Sequence, residues 1–277
     1  MAEEKKEKKI VSASTGKVST VEESTSRRTA AAKSAAEKNE AAEAAGKKPP
    51  KQRATGLRLL AALMWVLAIG AEVVAILILN KTIYTGDNLL TWLIVSLVVD
   101  LIFVVIGSQL WKKSNRIDPA SEKDKIKFWL WNNMGVIVSV IAFLPIIILM
   151  IRDKDLDPKT KRIAVIAGIV ALVVAVASSY TWNPVSQESL EEANSQVEAL
   201  GFDTVYWTRF GKKYHLDVDC SSLSRSEVLF EGTVNEAFEA SRIDLCKICA
   251  KAHNVEDLAN GIEEVVDEVE PELQPAA

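Results

Sequence analysis

Long apolar stretches alternate with strongly polar ones along this chain. Four apolar runs are long enough to cross a bilayer, which needs about 20 residues; they cover roughly residues 57–79, 89–111, 131–151 and 163–182. They lack the polar face of a surface helix, and Trp and Tyr residues gather near their ends, as in an interfacial aromatic belt. The pattern predicts a mainly α membrane protein with a four-helix transmembrane bundle over residues 56–182.

Polar segments flank this region on both sides. Residues 1–55 are rich in Ala, Lys, Glu, Ser and Thr and have no apolar stripe, which predicts a disordered polar tail. Its basic cluster around residues 47–53 suits anionic lipid headgroups. At the other end, residues 261–277 are acidic and predict a second tail.

A short amphipathic helix is predicted between the last span and the domain that follows. Asn183–Pro184 interrupts the preceding helix, and Ser186 or Ser189 can cap the next one. The apolar positions then follow helical spacing, at Leu190, Ala193, Val197 and Leu200. This linker over residues 183–200 would either form a coiled coil with a copy of itself or lie on the domain beyond.

Over residues 201–260, short strand-like segments and a short helix replace the long helical pattern, which predicts a small α+β domain. Residues 202–208 and 213–215 are typical of two strands around a tight turn, and residues 228–230 of a third strand. Thr233 and Glu236 have the spacing of a capping box, which predicts a helix after that strand.

Basic residues near the spans favour a cytoplasmic N-terminus. Four full crossings place 11 Lys and Arg residues inside and 6 outside. The loop at residues 152–162 disagrees, since its 5 basic residues would lie outside. A rival topology makes the third apolar segment, with Pro145, a re-entrant hairpin and puts the C-terminus outside. The counts favour a cell-membrane protein with its C-terminal domain in the cytoplasm.

All three cysteines of the chain, and one of its two histidines, fall within residues 214–249. The ligand spacing is H-x4-C followed by C-x2-C, formed by His215, Cys220, Cys246 and Cys249. Three sulfurs and one imidazole suit tetrahedral zinc, and a domain of about 60 residues has too small a core to fold easily without a metal. His253 is the competing fourth ligand. Four protein ligands would close the site, which predicts a structural zinc ion rather than a catalytic one.

The stretch "TVYWTRFGKKYH…C…GTVNEAFEA…LCKIC" resembles the small zinc-binding module of bacterial membrane and extracytoplasmic proteins. That module is distantly similar to the metal-binding domain of the Ada DNA-repair protein. The resemblance covers residues 204–251 and implies that His215, Cys220, Cys246 and Cys249 bind zinc. His215 stands where the Ada domain has a cysteine, and no DNA-binding helices lie nearby, so methyl transfer to a zinc thiolate is not expected. Relatives of the module often lie outside the membrane, which opposes the cytoplasmic placement.

Two carboxylates lie within the apolar spans, Glu72 in the first and Asp100 in the second. Such residues face the bundle interior and either bind neighbouring helices or act in transport.

The residues together predict a non-enzymatic membrane protein that carries a structural zinc module for protein interaction or assembly. The alternative is a small transporter or channel subunit that uses Glu72 and Asp100. Expected partners are the lipid bilayer, an unidentified protein and a second copy of the chain. Nucleic acid is not expected, because residues 183–277 carry 7 basic against 20 acidic residues.

Overall fold

The computed structural model describes residues 8–21 and 49–255, which fall into two compact units. The first unit covers residues 49–187. The second unit combines residues 8–21 with the described chain from Glu188 onward. The predicted acidic tail at residues 261–277 and most of the predicted N-terminal tail lie outside the described residues.

The first unit is helical over its described residues. Four helices are long and apolar enough to cross a membrane, namely α1 (Pro50–Leu79), α2 (Leu89–Ile117), α4 (Met134–Arg152) and α5 (Pro158–Ser179). A short helix, α3 (Lys125–Asn132), lies between α2 and α4 and is not predicted from the sequence. Asp124 caps it, because its carboxylate accepts hydrogen bonds from the backbone N–H groups of Ile126 and Lys127. The predicted bundle of four span-length helices is confirmed.

Side chains in this unit divide into an interior set and an outward set. The interior is filled by small and aliphatic residues such as Ala68, Leu93 and Phe143. The outward faces carry large apolar side chains, including Val66 and Val173, which are 64 % and 60 % exposed within the protein. Apolar surface of this extent is unfavourable in water and is removed from water by lipid, as expected for a multi-pass membrane protein.

Close helix packing depends on small residues at two positions. A Cβ atom at Gly135 of α4 would lie 2.5 Å from the Ser108 hydroxyl of α2, and one at Gly107 would lie 2.5 Å from the Trp65 indole nitrogen of α1. These separations are below van der Waals contact, so the helices reach their observed spacing because these two residues lack side chains.

The second unit contains two small sheets. The larger has strand order β2-β1-β5-β3 and is formed by β1 (Lys9–Ser12), β2 (Val18–Thr20), β3 (Val205–Trp207) and β5 (Val228–Gly232). The smaller joins β4 (Lys213–Tyr214) to β6 (Asp244–Leu245) in parallel. Three helices complete the unit, α6 (Gln187–Ala199), α7 (Val234–Glu239) and α8 (Lys247–Ala252). The predicted small α+β domain is therefore present.

The N-terminal segment differs from the disordered tail that the sequence predicts. Residues 9–12 form β1, which pairs in parallel with β5, and residues 18–20 return as β2 in antiparallel pairing. Ile10 of β1 is fully buried and lies in register with Leu229 of β5, which is also fully buried. Burial of this apolar side chain, together with hydrogen bonds to an otherwise open strand edge, stabilises the segment.

Two helix ends in the C-terminal region lie where the sequence predicts them, the start of α7 and the end of α6. Thr233 and Glu236 form the predicted capping box at the start of α7. After α6, Gly201 adopts a left-handed φ of +75°, and the N–H of Phe202 donates to the carbonyl of Val197 at 3.0 Å, which ends the linker helix where the sequence predicts. Ala193 and Val197 of α6 are buried, and the Asn194 side chain donates to Asn235 of α7 at 3.0 Å. The linker helix therefore lies on its own domain.

Candidate metal centre

His215 and Cys220 reach the site from the segment that follows the predicted turn. The backbones of Tyr206 and His215 exchange two hydrogen bonds, of 2.8 and 2.7 Å, which form the predicted antiparallel hairpin. His215 comes directly after β4, and Cys220 precedes a single 3₁₀ turn over Ser221–Leu223. The hairpin thus fixes one pair of candidate ligands.

Cys246 and Cys249 provide the second pair from the start of α8. The backbone N–H of Cys246 donates to the carbonyl of Tyr214 at 2.9 Å, so β6 holds this cysteine beside the strand that leads into His215. Cys246 is the N-cap residue of α8, and Cys249 lies in its first turn. Parallel pairing of β4 with β6 therefore brings the two pairs together.

The four side chains form a closed, buried cluster. One ligand atom from each of His215, Cys220, Cys246 and Cys249 can be chosen so that all four lie within 4.8 Å of one another. The sulfurs of Cys220 and Cys246 are 4.0 Å apart, and the sulfur of Cys249 is 3.9 Å from Nδ1 of His215. Because a disulfide bond is about 2.05 Å long, these cysteines are free thiols. The cluster could hold a metal ion.

Burial sets the protonation of the imidazole in this cluster. Burial, with a smaller contribution from the Lys213 charge, lowers the pKa of His215 to about 4. The ring is therefore neutral at neutral pH, and a neutral nitrogen has the lone pair that a metal requires.

The two cysteines of the C-x2-C motif differ in acidity. Burial raises the pKa of the Cys249 thiol to about 12, against the opposing effect of the backbone N–H groups of Asp217 and Leu216. Burial also acts against ionisation of Cys246, but the backbone N–H groups of Cys249 and Ile248 and hydrogen bonds with Ser222 and Cys220 lower its pKa. The C-x2-C segment therefore forms a knuckle, in which backbone amides stabilise a thiolate.

Ser222 is a neighbour of the cluster that sequence reasoning missed. Its hydroxyl lies 3.8 Å from the sulfur of Cys246. The signal available in the sequence is its position two residues after Cys220, but nothing in a serine-rich stretch distinguishes it from Ser221 or Ser224.

The competing ligand His253 is engaged elsewhere. Its Nε2 lies 2.7 Å from the carboxylate of Asp217, and its ring packs edge-on against Phe202 with centroids 5.0 Å apart. It does not belong to the cluster of candidate ligands found among the described residues. Two acidic residues that lie near the candidate ligands in sequence, Asp219 and Glu227, are exposed and also lie outside the cluster. The geometry therefore favours His215.

Glu72 and Asp100, the two carboxylates predicted to lie in the membrane, are placed in the interior of the helical unit. Glu72 lies on α1 and is 6 % exposed, while Asp100 lies on α2 and is 1 % exposed. Both side chains therefore face the bundle interior, as the cost of exposing a carboxylate to lipid requires.

Comparison of the chain with protein-family models, with curated proteins and with solved structures finds no match.

Proposed function

We propose that this chain is a multi-pass membrane protein whose C-terminal unit folds around a structural zinc ion and serves protein interaction or assembly. The observation that carries the proposal is the buried cluster of three free thiols and one imidazole, with ligand atoms within 4.8 Å of one another. The proposal also rests on the resemblance of residues 204–251 to the zinc-binding module of bacterial membrane proteins.

Zinc is the metal that best suits this set of donors. Zinc binds sulfur at about 2.3 Å and nitrogen at about 2.0 Å, so donors at the corners of a tetrahedron lie about 3.5–3.8 Å apart. The 4.0 and 3.9 Å separations between donor atoms are close to these edges. Soft thiolates favour zinc over magnesium or calcium, which take oxygen ligands.

A structural role is supported by the number and burial of the ligands. Catalytic zinc keeps one position open for water, whereas four protein ligands fill a tetrahedral site. All four side chains are buried, with exposed fractions between 1 % and 7 %. A non-enzymatic protein is therefore the better proposal.

An interaction role is supported by an aromatic side chain at the tip of the hairpin. Phe210 is 92 % exposed, and the guanidinium of Arg209 lies 5.9 Å from the centre of its ring. Aromatic and Arg side chains are enriched in protein interfaces. A photoreactive amino acid at position 210 should cross-link to a protein, either a partner or a second copy of the chain. Cross-links to lipid alone would contradict an interaction role at this turn.

We place the zinc module on the cytoplasmic side of the cell membrane. Sheet hydrogen bonds cannot form across a bilayer, so pairing of β1 with β5 supports the two ends of the chain being on one side. The α4 helix is continuous over 19 residues even though it contains Pro145, which supports a full crossing rather than a re-entrant hairpin. The flanks and loop on the side of the N-terminus carry more basic residues than those on the other side, which favours the cytoplasm for that side.

Metal analysis of the purified full-length protein tests the function. We expect about one zinc ion per chain in the wild type. His215→Ala should reduce zinc retention at least tenfold during dialysis against a chelator, and His253→Ala is the matched control that should retain zinc. Retention by His215→Ala with loss by His253→Ala would contradict the ligand set. Absence of metal from a folded wild-type protein would contradict structural zinc altogether.

A further inference from the structure

The interior of the helical unit contains two acidic side chains with unsatisfied oxygens. Within the described residues, Oε1 of Glu72 and both carboxyl oxygens of Asp100 are buried and have no hydrogen-bond partner. Leaving a buried polar atom unpaired destabilises the fold, and leaving an ionised carboxylate unpaired destabilises it most. Unpaired carboxyl oxygens in such surroundings favour the protonated, neutral form of the acid.

The two carboxyl groups lie at similar depths in adjacent helices. Glu72 is seven residues before the end of α1, and Asp100 is eleven residues after the start of α2, at the same end of the helix pair. At a rise of 1.5 Å per residue these positions are about 11 and 17 Å from the helix ends, well inside a hydrocarbon layer of about 30 Å. Both side chains are buried, at 6 % and 1 % exposure, so both face the interior of the same helical unit.

No basic side chain neutralises the pair among the described residues. Arg58 is bonded to Asp118 at 2.8 Å, and Lys112 donates to the backbone carbonyls of Ser178 and Tyr180, each at 2.8 Å. The backbone of Ile146 on α4, the residue after Pro145, lies near the carboxyl group of Glu72. Two negative charges at this site would repel each other in a medium of low dielectric constant.

The chemistry of the site favours a proton over a metal cation. Sodium, magnesium and calcium need several oxygen ligands, and calcium takes six to eight. The two carboxyl groups together supply four oxygens, which is fewer than the six to eight that calcium takes. Two carboxyl groups can instead hold a proton between them, as paired acids do in other buried sites.

We propose that Glu72 and Asp100 form an exchangeable proton-binding pair inside the membrane bundle. This inference is independent of the zinc module, since it rests on a different unit of the chain. A carboxyl pair that takes up and releases a proton is what a proton-coupled carrier requires, whereas a pair that only joins helices has no need to exchange its protons with the solvent.

Labelling with the membrane-permeant reagent dicyclohexylcarbodiimide tests the inference, because it reacts with protonated carboxyl groups in apolar surroundings. The full-length protein in vesicles is treated over a range of pH, and adducts are located by mass spectrometry. We expect adducts at Glu72 and Asp100 that are lost as the pH rises. Asp118→Asn is the matched control and should leave the labelling unchanged.

Coupling between the two groups gives a second, sharper readout. In Glu72→Gln the like charge is removed, so labelling of Asp100 should be lost at a lower pH than in the wild type. Asp100→Asn should have the reciprocal effect on Glu72. Unchanged profiles would show two independent carboxyl groups and overturn the pair.

Three further outcomes would overturn the proposal. Absence of labelling at acidic pH means that the pair does not exchange with solvent, and labelling that is the same at every pH means that it does not titrate. Protection by sodium at constant pH would assign the site to a metal cation instead. The last three measurements use the wild type, so they remain decisive if a variant fails to fold.

Discussion

The contrast between His215 and His253 shows how single residues determine the candidate metal centre. Both have metal-compatible spacing to a cysteine, but His215 follows a strand that is paired to the C-x2-C segment, whereas His253 is bonded to Asp217. Spacing alone therefore leaves two candidates, and the strand pairing separates them.

Acidification should release the metal and destabilise the C-terminal unit. The folded environment lowers the pKa of His215 from 6.5 to about 4, chiefly through burial. A group with a lowered pKa contributes stability that is present above pH 6.5 and is lost as the pH falls through about 4. The loss from this residue is at most about 3 kcal/mol, and protons also compete with the metal for the thiolates.

Metal content after buffer exchange at stepped pH measures this effect, with thermal unfolding followed in parallel. The His253→Ala variant should reproduce the wild-type profile. Metal that is fully retained at pH 3, or that is lost above pH 7, would be inconsistent with a neutral buried imidazole as ligand.

The four candidate ligands could be found from the sequence because their spacing is short and the residue types are rare in this chain. His215 and Cys220 are separated by four residues, and Cys246 and Cys249 by two. The contribution of Ser222 could not be found, because a 3.8 Å approach to Cys246 depends on the turn after Cys220 and leaves no pattern.

At the scale of elements, β1 is the feature that the sequence conceals. Its parallel partner β5 lies more than 200 residues away, and such pairing leaves no local pattern in a single sequence. The surrounding Ala-, Lys- and Glu-rich composition also hides the strand–turn–strand pattern, in which Gly16 adopts a φ of +69°. The four span-length helices, in contrast, were predictable because length and hydropathy are local properties.

Replacing Ile10 by Asp should detach β1 from the sheet. Ile10 is fully buried, so Ile10→Asp buries an unpaired carboxylate and should cost about 2–4 kcal/mol. Val18→Asp is the matched control, because Val18 lies on β2 and is 62 % exposed, and it should cost less than about 0.5 kcal/mol. Hydrogen exchange of the β5 amides in the full-length protein should be faster in Ile10→Asp alone; equal rates in the two variants would argue against the pairing.

Packing of the membrane helices can be tested with a pair of glycines. Gly135→Ala places a Cβ atom 2.5 Å from the Ser108 hydroxyl and 3.2 Å from Cβ of Ser179, which should destabilise the helical unit by about 1–3 kcal/mol. Gly70→Ala is the control, since nothing lies within 4 Å of the added atom and alanine is the better helix former. The midpoint of thermal unfolding in detergent should fall in Gly135→Ala only. A similar midpoint in both would mean that α2, α4 and α5 can separate at no cost.

At the scale of the whole molecule, the fold of one unit constrains the topology of the other. A strand from the N-terminal end of the chain and a strand from its C-terminal part share one sheet, and the chain between them contains the four apolar helices. We propose that both strands lie in one compartment, which requires an even number of crossings. This constraint comes from the pairing of two strands in one continuous chain. It does not depend on the counts of basic residues, which at residues 152–162 disagree with four full crossings.

Epitope insertion tests this topology in cells. Tags in the turn at residues 14–16 and in the turn at residues 209–211 should bind antibody only after the membrane is permeabilised. Tags at residues 83–87 and at residues 153–157 should bind antibody in intact cells. The first loop joins α1 to α2 and the second joins α4 to α5, so with a cytoplasmic N-terminus and four crossings both loops lie outside. The tag at residues 153–157 decides between the alternatives, since a re-entrant third segment would keep it inside and would move the tag at residues 209–211 outside. Opposite accessibility of the tags at 14–16 and 209–211 would rule out pairing of β1 with β5 in one chain.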